Sequence, residues 1–196
     1  AIIIPARLDA RRLPNKPLKL IKNKEMILHV YDLATSAKIG DVIVATPDQK
    51  ILELVKNYGG QAMMTNKDHK TGTDRIYEVF KKELFKTHKI IINLQGDMPN
   101  LNPIVIKNLA NHIKKNTCDI ATIASKLNKN KDLEDENVCK VISKKEIKNN
   151  EFATALDFFR LTKNKTPNFT YHHIGIYAFT SASLIRYVSL KRSNLE

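Results

Sequence analysis

The chain has few of the residues that build special scaffolds. Its 196 residues include two cysteines and no tryptophan. Two cysteines are too few for a disulfide framework, so Cys118 and Cys139 are expected to be free thiols. No apolar run approaches the roughly 20 residues that a membrane-spanning helix needs, and residues 1–4 are too short for a signal-peptide core. We therefore expect a cytoplasmic protein without membrane insertion.

Acidic residues are scarce relative to basic ones, with 20 Asp and Glu against 33 Lys and Arg and a formal net charge of +13. Such a charge can indicate nucleic-acid binding. Here, however, the lysines are spread along the chain, and no basic helix or aromatic-and-basic sheet motif stands out. A basic surface also attracts small anions such as a nucleoside triphosphate or a sugar acid. We favour small anionic substrates and keep a nucleic-acid-binding module as an alternative.

Hydrophobic periodicity predicts an α/β architecture for residues 1–125. Wholly apolar runs such as 42–44 and 90–92 are typical of buried strands in parallel sheets, and they alternate with segments of helical spacing. This alternation predicts a mostly parallel, Rossmann-like sheet with helices on both faces. Residues 7–24 are expected to be loop, and residues 73–85 one helix. Ligands of such sheets bind beyond the carboxyl ends of the strands.

The pattern changes after about residue 125. Residues 138–143, 152–158 and 171–179 read as strands joined by segments rich in Lys and Asn. A final helix is expected over residues 181–190. Residues 126–196 are therefore predicted to form an antiparallel extension, continuous with the first part in one domain.

A basic loop follows the first predicted strand. It carries four cationic side chains, namely Arg7, Arg11, Arg12 and Lys16. Guanidinium groups can bind phosphate oxygens two at a time, and an ammonium adds a compact charge. Because the loop lies at the carboxyl end of a strand, it is a candidate triphosphate site. A merely solvated basic loop is the alternative.

Two further motifs carry candidate site residues. Residues 71–75 read Thr-Gly-Thr-Asp-Arg, where a hydroxyl or a carboxylate can cap the start of a helix. Residues 94–99 read Leu-Gln-Gly-Asp-Met-Pro and follow the clearest strand. There Gly96 permits a close backbone approach, and the Asp97 carboxylate is a ligand type that Mg²⁺ accepts together with phosphate oxygens and water.

In combination, these motifs resemble the signatures of CMP-Kdo synthetases, the 3-deoxy-manno-octulosonate (Kdo) cytidylyltransferases. Residues 4–7 and 12–18 are similar to the family's first loop. Residues 64–75 are similar to its Met-Thr-…-His-x-Ser-Gly-Thr-Asp/Glu-Arg motif, and residues 95–99 to its Gln-Gly-Asp-Glu-Pro motif. Residues 172–177 resemble its Lys/Arg-His-Ile/Leu-Gly-Ile-Tyr motif. The resemblance implies a nucleotide-diphospho-sugar-transferase-like fold.

The resemblance also implies roles for individual residues. Arg7 and Lys16 would contact the phosphates of CTP, with Arg12 in the same loop. Asp97 would bind magnesium, which makes Arg7, Lys16 and Asp97 the implied catalytic set. The remaining implied residues divide between the nucleotide, with Thr71, Arg75 and Gln95, and the sugar, with Arg160, His173 and Tyr177.

Some positions depart from the family pattern. Ala10 and Arg11 replace the usual small hydroxyl residues, and Met98 replaces a Glu. Asn15 stands where Gly is usual, but Asn tolerates the left-handed backbone conformation that the turn requires. Residues 193–196 resemble the family's Ser-Pro-Leu-Glu, after which the family continues. We therefore expect a chain that lacks the family's C-terminal part.

The implied activity is formation of CMP-Kdo and pyrophosphate from CTP and Kdo with Mg²⁺, for lipopolysaccharide biosynthesis, by a homodimer. Two alternatives stay open. CMP-sialic acid synthetases share the fold, but the glycine pair of their first loop is absent from residues 8–12. A catalytically inactive, truncated nucleotide-binding homologue would also fit, and Met98 favours it.

Overall fold

A computed structural model describes residues 1–9, 13–115, 118–148, 151–161 and 169–191. The chain divides into two compact units, one of residues 1–121 and 176–196 and one of residues 122–175. The strands are β1 (Ile2–Pro5), β2 (Leu20–Ile21), β3 (Lys24–Glu25), β4 (Val42–Thr46), β5 (Ala62–Met64), β6 (Ile90–Asn93), β7 (Ile120–Ser125), β8 (Lys140–Ser143), β9 (Ala155–Phe159) and β10 (Thr170–Thr180). The helices are α1 (Met26–Ser36), α2 (Gln49–Asn57), α3 (Gly72–Phe80), α4 (Glu83–Lys86), α5 (Pro103–Lys115), α6 (Lys129–Glu134) and α7 (Ser181–Ser189), with a 3₁₀ helix at Lys16–Leu18.

The first unit is built on a mostly parallel sheet with the strand order β5-β4-β1-β6. β1 lies between β4 and β6 and pairs with both in parallel. The C-terminal half of β10 adds an antiparallel neighbour to β6, with Tyr177 opposite Asn93. β1 and β4 are buried along their whole length, as expected for strands of mainly apolar residues in a sheet that is covered on both faces.

The core of the first unit shows why the chain alternates strands and helices. One cluster joins Ile3, Ile43 and Ile91 from the sheet to apolar side chains of α3 and α7. Neighbouring side chains of β1 point to the opposite face, where Ile2 and Ile4 are fully buried. Helices α3 and α7 pack against each other, and so do α1 and α5. The burial of apolar surface on both faces stabilises this unit.

The second unit is antiparallel. β8 pairs with the N-terminal half of β10 and with β9, and a register shift interrupts the second pairing at Ile142/Ser143. His173 lies on this half of β10 and is buried. The Thr122 hydroxyl lies 2.9 Å from His173 Nε2.

The predicted fold class is confirmed: a mostly parallel sheet with helices, and an antiparallel part. Two local predictions were wrong. Residues 16–25 contain a 3₁₀ helix and the β2–β3 hairpin rather than loop alone. The helix expected over residues 73–85 is two helices, α3 and α4. Helix α6 lies in residues 126–137, for which no element was predicted, because its polar sequence has no hydrophobic period.

No helix in the described ranges combines the length and the apolar character needed to cross a membrane.

Candidate active site

A cleft of about 260 Å³ opens in the first unit where the carboxyl ends of β1 and β6 meet the start of α3. Six residues that the sequence singled out line it: Arg7, Lys16, Thr71, Arg75, Gln95 and Asp97. They come from three segments far apart in the chain and meet at one edge of the sheet. Arg12, with its neighbour Arg11, lies outside the described residues.

The backbone on both sides of Arg7 is anchored. Ala6 N donates to Ala45 O at 3.0 Å, which extends the pairing of β1 and β4 by one residue. Leu8 N donates to the Asp48 carboxylate at 2.9 Å. Arg7 itself is exposed at the cleft. Its flexible side chain thus starts from a fixed point, which reduces the entropy cost of binding an anion.

A left-handed residue brings Lys16 back to the cleft. Asn15 has φ 56° and ψ 26°, and its N–H donates to Leu8 O at 3.1 Å. The short 3₁₀ helix that begins at Lys16 follows directly. The expectation that Asn15 supports a turn for which Gly is usual is therefore confirmed by its backbone angles.

Lys16 and Asp97 form an ion pair inside the cleft. The Lys16 Nζ to Asp97 Oδ2 distance is 2.6 Å, and both side chains are partly exposed. A cation and a carboxylate at this distance neutralise each other locally. Each group is therefore already paired when the cleft holds no ligand.

Gly96 fits tightly beneath the first strand. A Cβ at this position would lie 3.0 Å from Pro5 O and 3.3 Å from Ile27 Cδ1. The predicted close backbone approach is thus present, and it places Asp97 next to the end of β1. Beside it, Gln95 Nε2 donates to Asn93 Oδ1 at 3.0 Å. This bond orients the Gln95 amide within the cleft.

Thr71 begins helix α3 with a capping box. Its hydroxyl accepts from Asp74 N at 3.2 Å, and the Asp74 carboxylate accepts from Thr71 N at 3.0 Å. Two backbone N–H groups that a helix start leaves unpaired are satisfied in this way. The cap fixes where α3 starts. It thereby fixes the position of Arg75, which directly follows Asp74 in the helix.

Thr71→Ala is expected to lower the free energy of unfolding by about 1 kcal/mol, because the hydroxyl that caps Asp74 N is lost. Urea unfolding followed by circular dichroism measures the change. Thr71→Ser keeps the hydroxyl and is the matched control, expected to stay close to the parent. Equal losses in the Ala and Ser variants would contradict a capping role.

Arg75 is a buried cation at the floor of the cleft, with 3% of its surface exposed. Nη1 donates to the Thr65 hydroxyl and, at 2.8 Å, to Asn66 O. Burial, and then the charge of Arg7, lower the pKa of Arg75 from its ordinary value. A guanidinium nevertheless stays charged near neutral pH, so Arg75 gives this side of the cleft a fixed positive charge.

A cleft residue, His69, and its partner Glu78 form a contact that the sequence did not reveal. His69 lines the cleft, and its Nε2 lies 2.6 Å from the Glu78 carboxylate. Glu78 also accepts from Asn66 N at 2.9 Å. Partial burial opposes the charge on Glu78, but the bonds from Asn66 and His69 outweigh it and lower the Glu78 pKa. Glu78 lies one helical turn after Arg75, a spacing that could have indicated a shared role.

Arg75 and Glu78 together hold the segment before α3. The carbonyl of Asn66 is bound by Arg75 and its N–H by Glu78. The side chain of Asn66 accepts from Asp68 N at 3.0 Å, which tightens the same turn. His69 is thereby presented to the cleft from a segment with defined geometry.

The three predicted sugar residues are placed as follows. Tyr177 belongs to the first unit, where it packs beside the core cluster. His173 lies in the second unit and meets the Phe158 ring edge-on at 4.9 Å. Burial and the neighbouring His172 lower the pKa of His173. Arg160 is exposed in the second unit, and its Nη1 donates to Glu136 O and Asn137 O, each at 3.1 Å.

Comparison with known proteins gives consistent similarities. The profile of the family described as cytidylyltransferase matches residues 1–196. Proteins named 3-deoxy-manno-octulosonate cytidylyltransferase are 39% identical in Brucella suis, over 99% of this chain and 77% of that protein. In Bartonella henselae the identity is 39% over 100% of this chain and 80% of the relative.

Solved structures show the same likeness. The structure of CMP:2-keto-3-deoxy-manno-octonic acid synthetase complexed with CTP matches with a TM-score of 0.85 and 35% identity, over 98% of this chain and 78% of that one. A 4-diphosphocytidyl-2C-methyl-D-erythritol synthase from Anaerococcus prevotii matches with a TM-score of 0.62 at 14% identity, covering 100% of this chain and 80% of that one. The second likeness shows the fold alone.

Proposed function

The chain belongs to the 3-deoxy-manno-octulosonate cytidylyltransferase family, and from this premise we propose that it forms CMP-Kdo and pyrophosphate from CTP and Kdo, for lipopolysaccharide biosynthesis. One observation carries the proposal. Six residues that the family motifs assign to the nucleotide and the metal line a single cleft at the carboxyl ends of the strands, where ligands of such sheets bind.

The reaction is a nucleotidyl transfer. The anomeric hydroxyl oxygen of Kdo bonds to the α-phosphorus of CTP, the bond from that phosphorus to the bridging oxygen breaks, and pyrophosphate leaves with the electron pair. The hydroxyl proton passes to the surrounding solvent. Such transfers depend on positioning and on charge stabilisation rather than on a covalent protein intermediate. Arg7 and Lys16 hold the phosphates and offset the charge that develops on the leaving group.

We propose Asp97 as the protein's ligand for Mg²⁺. It offers a partly exposed carboxylate at the end of β6, inside the cleft. The described residues contain no group of three or more His, Cys, Asp or Glu side chains that could hold a metal ion. Magnesium commonly binds through one or two carboxylates plus phosphate oxygens and water, so Asp97 suits an ion that arrives with the nucleotide. The ion would neutralise phosphate charge.

The remaining side chains divide between nucleoside and sugar. Arg75, with its fixed charge, Gln95, with its oriented amide, and Thr71 at the helix start would bind the nucleoside side of CTP. Arg160, His173 and Tyr177 would bind the sugar acid. These assignments rest on the family motifs and on the positions described above.

Pyrophosphate release with CTP and Mg²⁺ tests the function, comparing Kdo, sialic acid and no acceptor. We expect release with Kdo alone. Release with sialic acid instead would support a CMP-sialic acid synthetase. CTP binding without turnover on any acceptor would favour an inactive homologue. The chain spans 77–80% of the length of the relatives compared above.

We also propose a homodimer formed through β9. This strand is the last of the second unit's sheet, beyond β8, and its surface is unusually apolar for an exposed strand. Leu156 is 61% exposed and Phe158 46% exposed, so this strand presents two large apolar side chains to solvent. Exposed apolar patches on edge strands are typical of association sites.

Leu156→Lys is expected to raise the dimer dissociation constant by at least about tenfold, because a charge replaces an apolar contact at the interface. Sedimentation velocity over a concentration series measures it. Leu20→Lys, which changes a leucine 63% exposed on the β2–β3 hairpin, is the matched control. A parent protein that sediments as a monomer, or equal effects of the two variants, would overturn this interface.

We also propose that the protein is located in the cytoplasm. Both cysteines are free thiols in the structure, which suits a reducing compartment.

A further inference from the structure

Lys140, the first residue of β8, is fully buried, although lysines are rarely buried completely. None of its surface is exposed. Its Nζ donates to two backbone carbonyls, Asp135 O and Arg160 O, each at 2.6 Å. Removing an ammonium from water is costly unless hydrogen bonds replace the lost hydration, and an apolar side chain of similar size often stabilises a core at least as well. These two hydrogen bonds, called tethers below, therefore need an explanation beyond packing.

The tethers join two segments that also meet through Arg160. Nη1 of Arg160 donates to Glu136 O and Asn137 O, the two residues after the carbonyl that Lys140 binds. Three consecutive carbonyls, 135 to 137, are thus held by two cationic side chains. In return, the backbone of Arg160 is held by Lys140. The contacts close a ring between the end of β9 and the segment before β8.

The contacts of this ring do not neutralise the charge of Arg160. Both acceptors of its guanidinium are neutral carbonyls, and the side chain is exposed. The nearby Asp135 carboxylate accepts from Asn137 N and Nδ2, and hydrogen bonding to Asn137 lowers the Asp135 pKa. A guanidinium with a fixed orientation and an unneutralised charge can bind a carboxylate with two parallel hydrogen bonds.

We infer that Lys140 is a positioning residue that orients Arg160 to bind the carboxylate of the acceptor sugar acid, an inference that rests on the proposed function. Lys140 acts through backbone: it fixes the carbonyl of Arg160 and, through Asp135, the turn whose carbonyls hold the guanidinium. Functional side chains keep productive geometry only when a second layer of contacts supports them.

Steady-state kinetics of Lys140→Met test the role in substrate binding. Because only the sugar side is disturbed, we expect KM for Kdo to rise about tenfold while KM for CTP changes by less than about twofold. Lys144→Met, which removes an exposed lysine from the same unit, is the control for lost charge and is expected to leave both constants unchanged. An unchanged KM for Kdo, or an equal rise in both constants, would overturn the inference.

A double-variant comparison separates positioning from a general structural role. If Lys140 acts through Arg160, Lys140→Met adds no further rise in KM for Kdo once Arg160→Met is present. Residues that act independently would give additive effects, and additivity would contradict the inference.

A third measurement does not depend on turnover. The ¹H–¹⁵N signal of Arg160 Nε can be identified as the arginine signal that Arg160→Lys removes. We expect it to be sharp in the parent and broadened or shifted in Lys140→Met, but not in Lys144→Met. A parent that releases no pyrophosphate with Kdo would overturn the proposed function, whereas an unaltered Arg160 signal in Lys140→Met would overturn the positioning role.

Discussion

Asp97→Asn is expected to lower kcat with Mg²⁺ by at least about a thousandfold, because it removes the proposed carboxylate ligand of the metal while keeping the shape of the side chain. The amide cannot supply the negative charge that a magnesium ion requires. The same change frees Lys16 from its partner, so the distribution of charge in the cleft is altered twice. Pyrophosphate release at saturating CTP and Kdo measures the loss.

Asp68→Asn is the matched control for this prediction. It makes the same chemical change at an exposed position of the segment that precedes α3, and it should retain parental activity. CTP binding in the absence of metal, measured by calorimetry, shows whether the nucleotide pocket of Asp97→Asn is intact. Turnover near the parental level in Asp97→Asn would remove Asp97 from the proposed mechanism.

Lys16→Met is expected to have two effects of opposite sign. It should lower kcat/KM by about a hundredfold or more, because the cation proposed to stabilise the leaving phosphates is lost. It should also strengthen the binding of Mn²⁺ to the protein without nucleotide, by several-fold, since the ion no longer competes with Lys16 Nζ for the Asp97 carboxylate. Pyrophosphate release measures the first effect, and electron paramagnetic resonance of free Mn²⁺ measures the second.

Lys70→Met is the control for the second effect. Lys70 also lines the cleft, so its removal lowers the local positive potential without breaking the bond to Asp97. If both variants bind Mn²⁺ equally well, the gain comes from general electrostatics and the ion pair is not a competitor. A gain confined to Lys16→Met would mean that nucleotide and metal assist each other, because phosphates that attract Lys16 release the carboxylate.

The main elements could be predicted because burial dictates their sequences. The runs 42–44 and 90–92 are wholly apolar, and burial on both faces of a sheet favours apolar side chains at successive positions. Asn15 could likewise be read from sequence, since few residues other than Gly and Asn adopt its backbone angles. In these cases a local constraint determines the residue type directly.

Periodicity failed where two elements share one core. Ile76, Val79 and Phe80 share one helical face, and the predicted helix continued to residue 85. Instead, α3 ends at Phe80 and α4 is separate, although Phe80 and Phe85 lie in the same cluster. The β2–β3 hairpin was missed for another reason. Its turn places Lys22 and Asn23 at φ 48° and 62°, and a lysine in that conformation has no sequence signature.

Long-range pairing was the second limit. Lys16 and Asp97 are separated by 81 positions, and no local pattern indicates that their charges meet. The burial of Lys140 has no local signal either, because lysines are rarely fully buried, and only the carbonyls of Asp135 and Arg160 explain its place. Family motifs pointed to the first pair individually and said nothing of their contact.

The division of the first unit into residues 1–121 and 176–196 has a bearing on how the protein is made. Synthesis proceeds from the N-terminus, so the strand that flanks β6 and helix α7 emerge after the rest of this unit. Until then β6 presents an open edge, and the cluster around Ile91 lacks Phe179 and Leu184. Open edges and incomplete cores favour aggregation of nascent chains. The residues proposed to bind the nucleotide thus lie in the first hundred positions, but the unit that supports them is completed only after β10 has paired with β6.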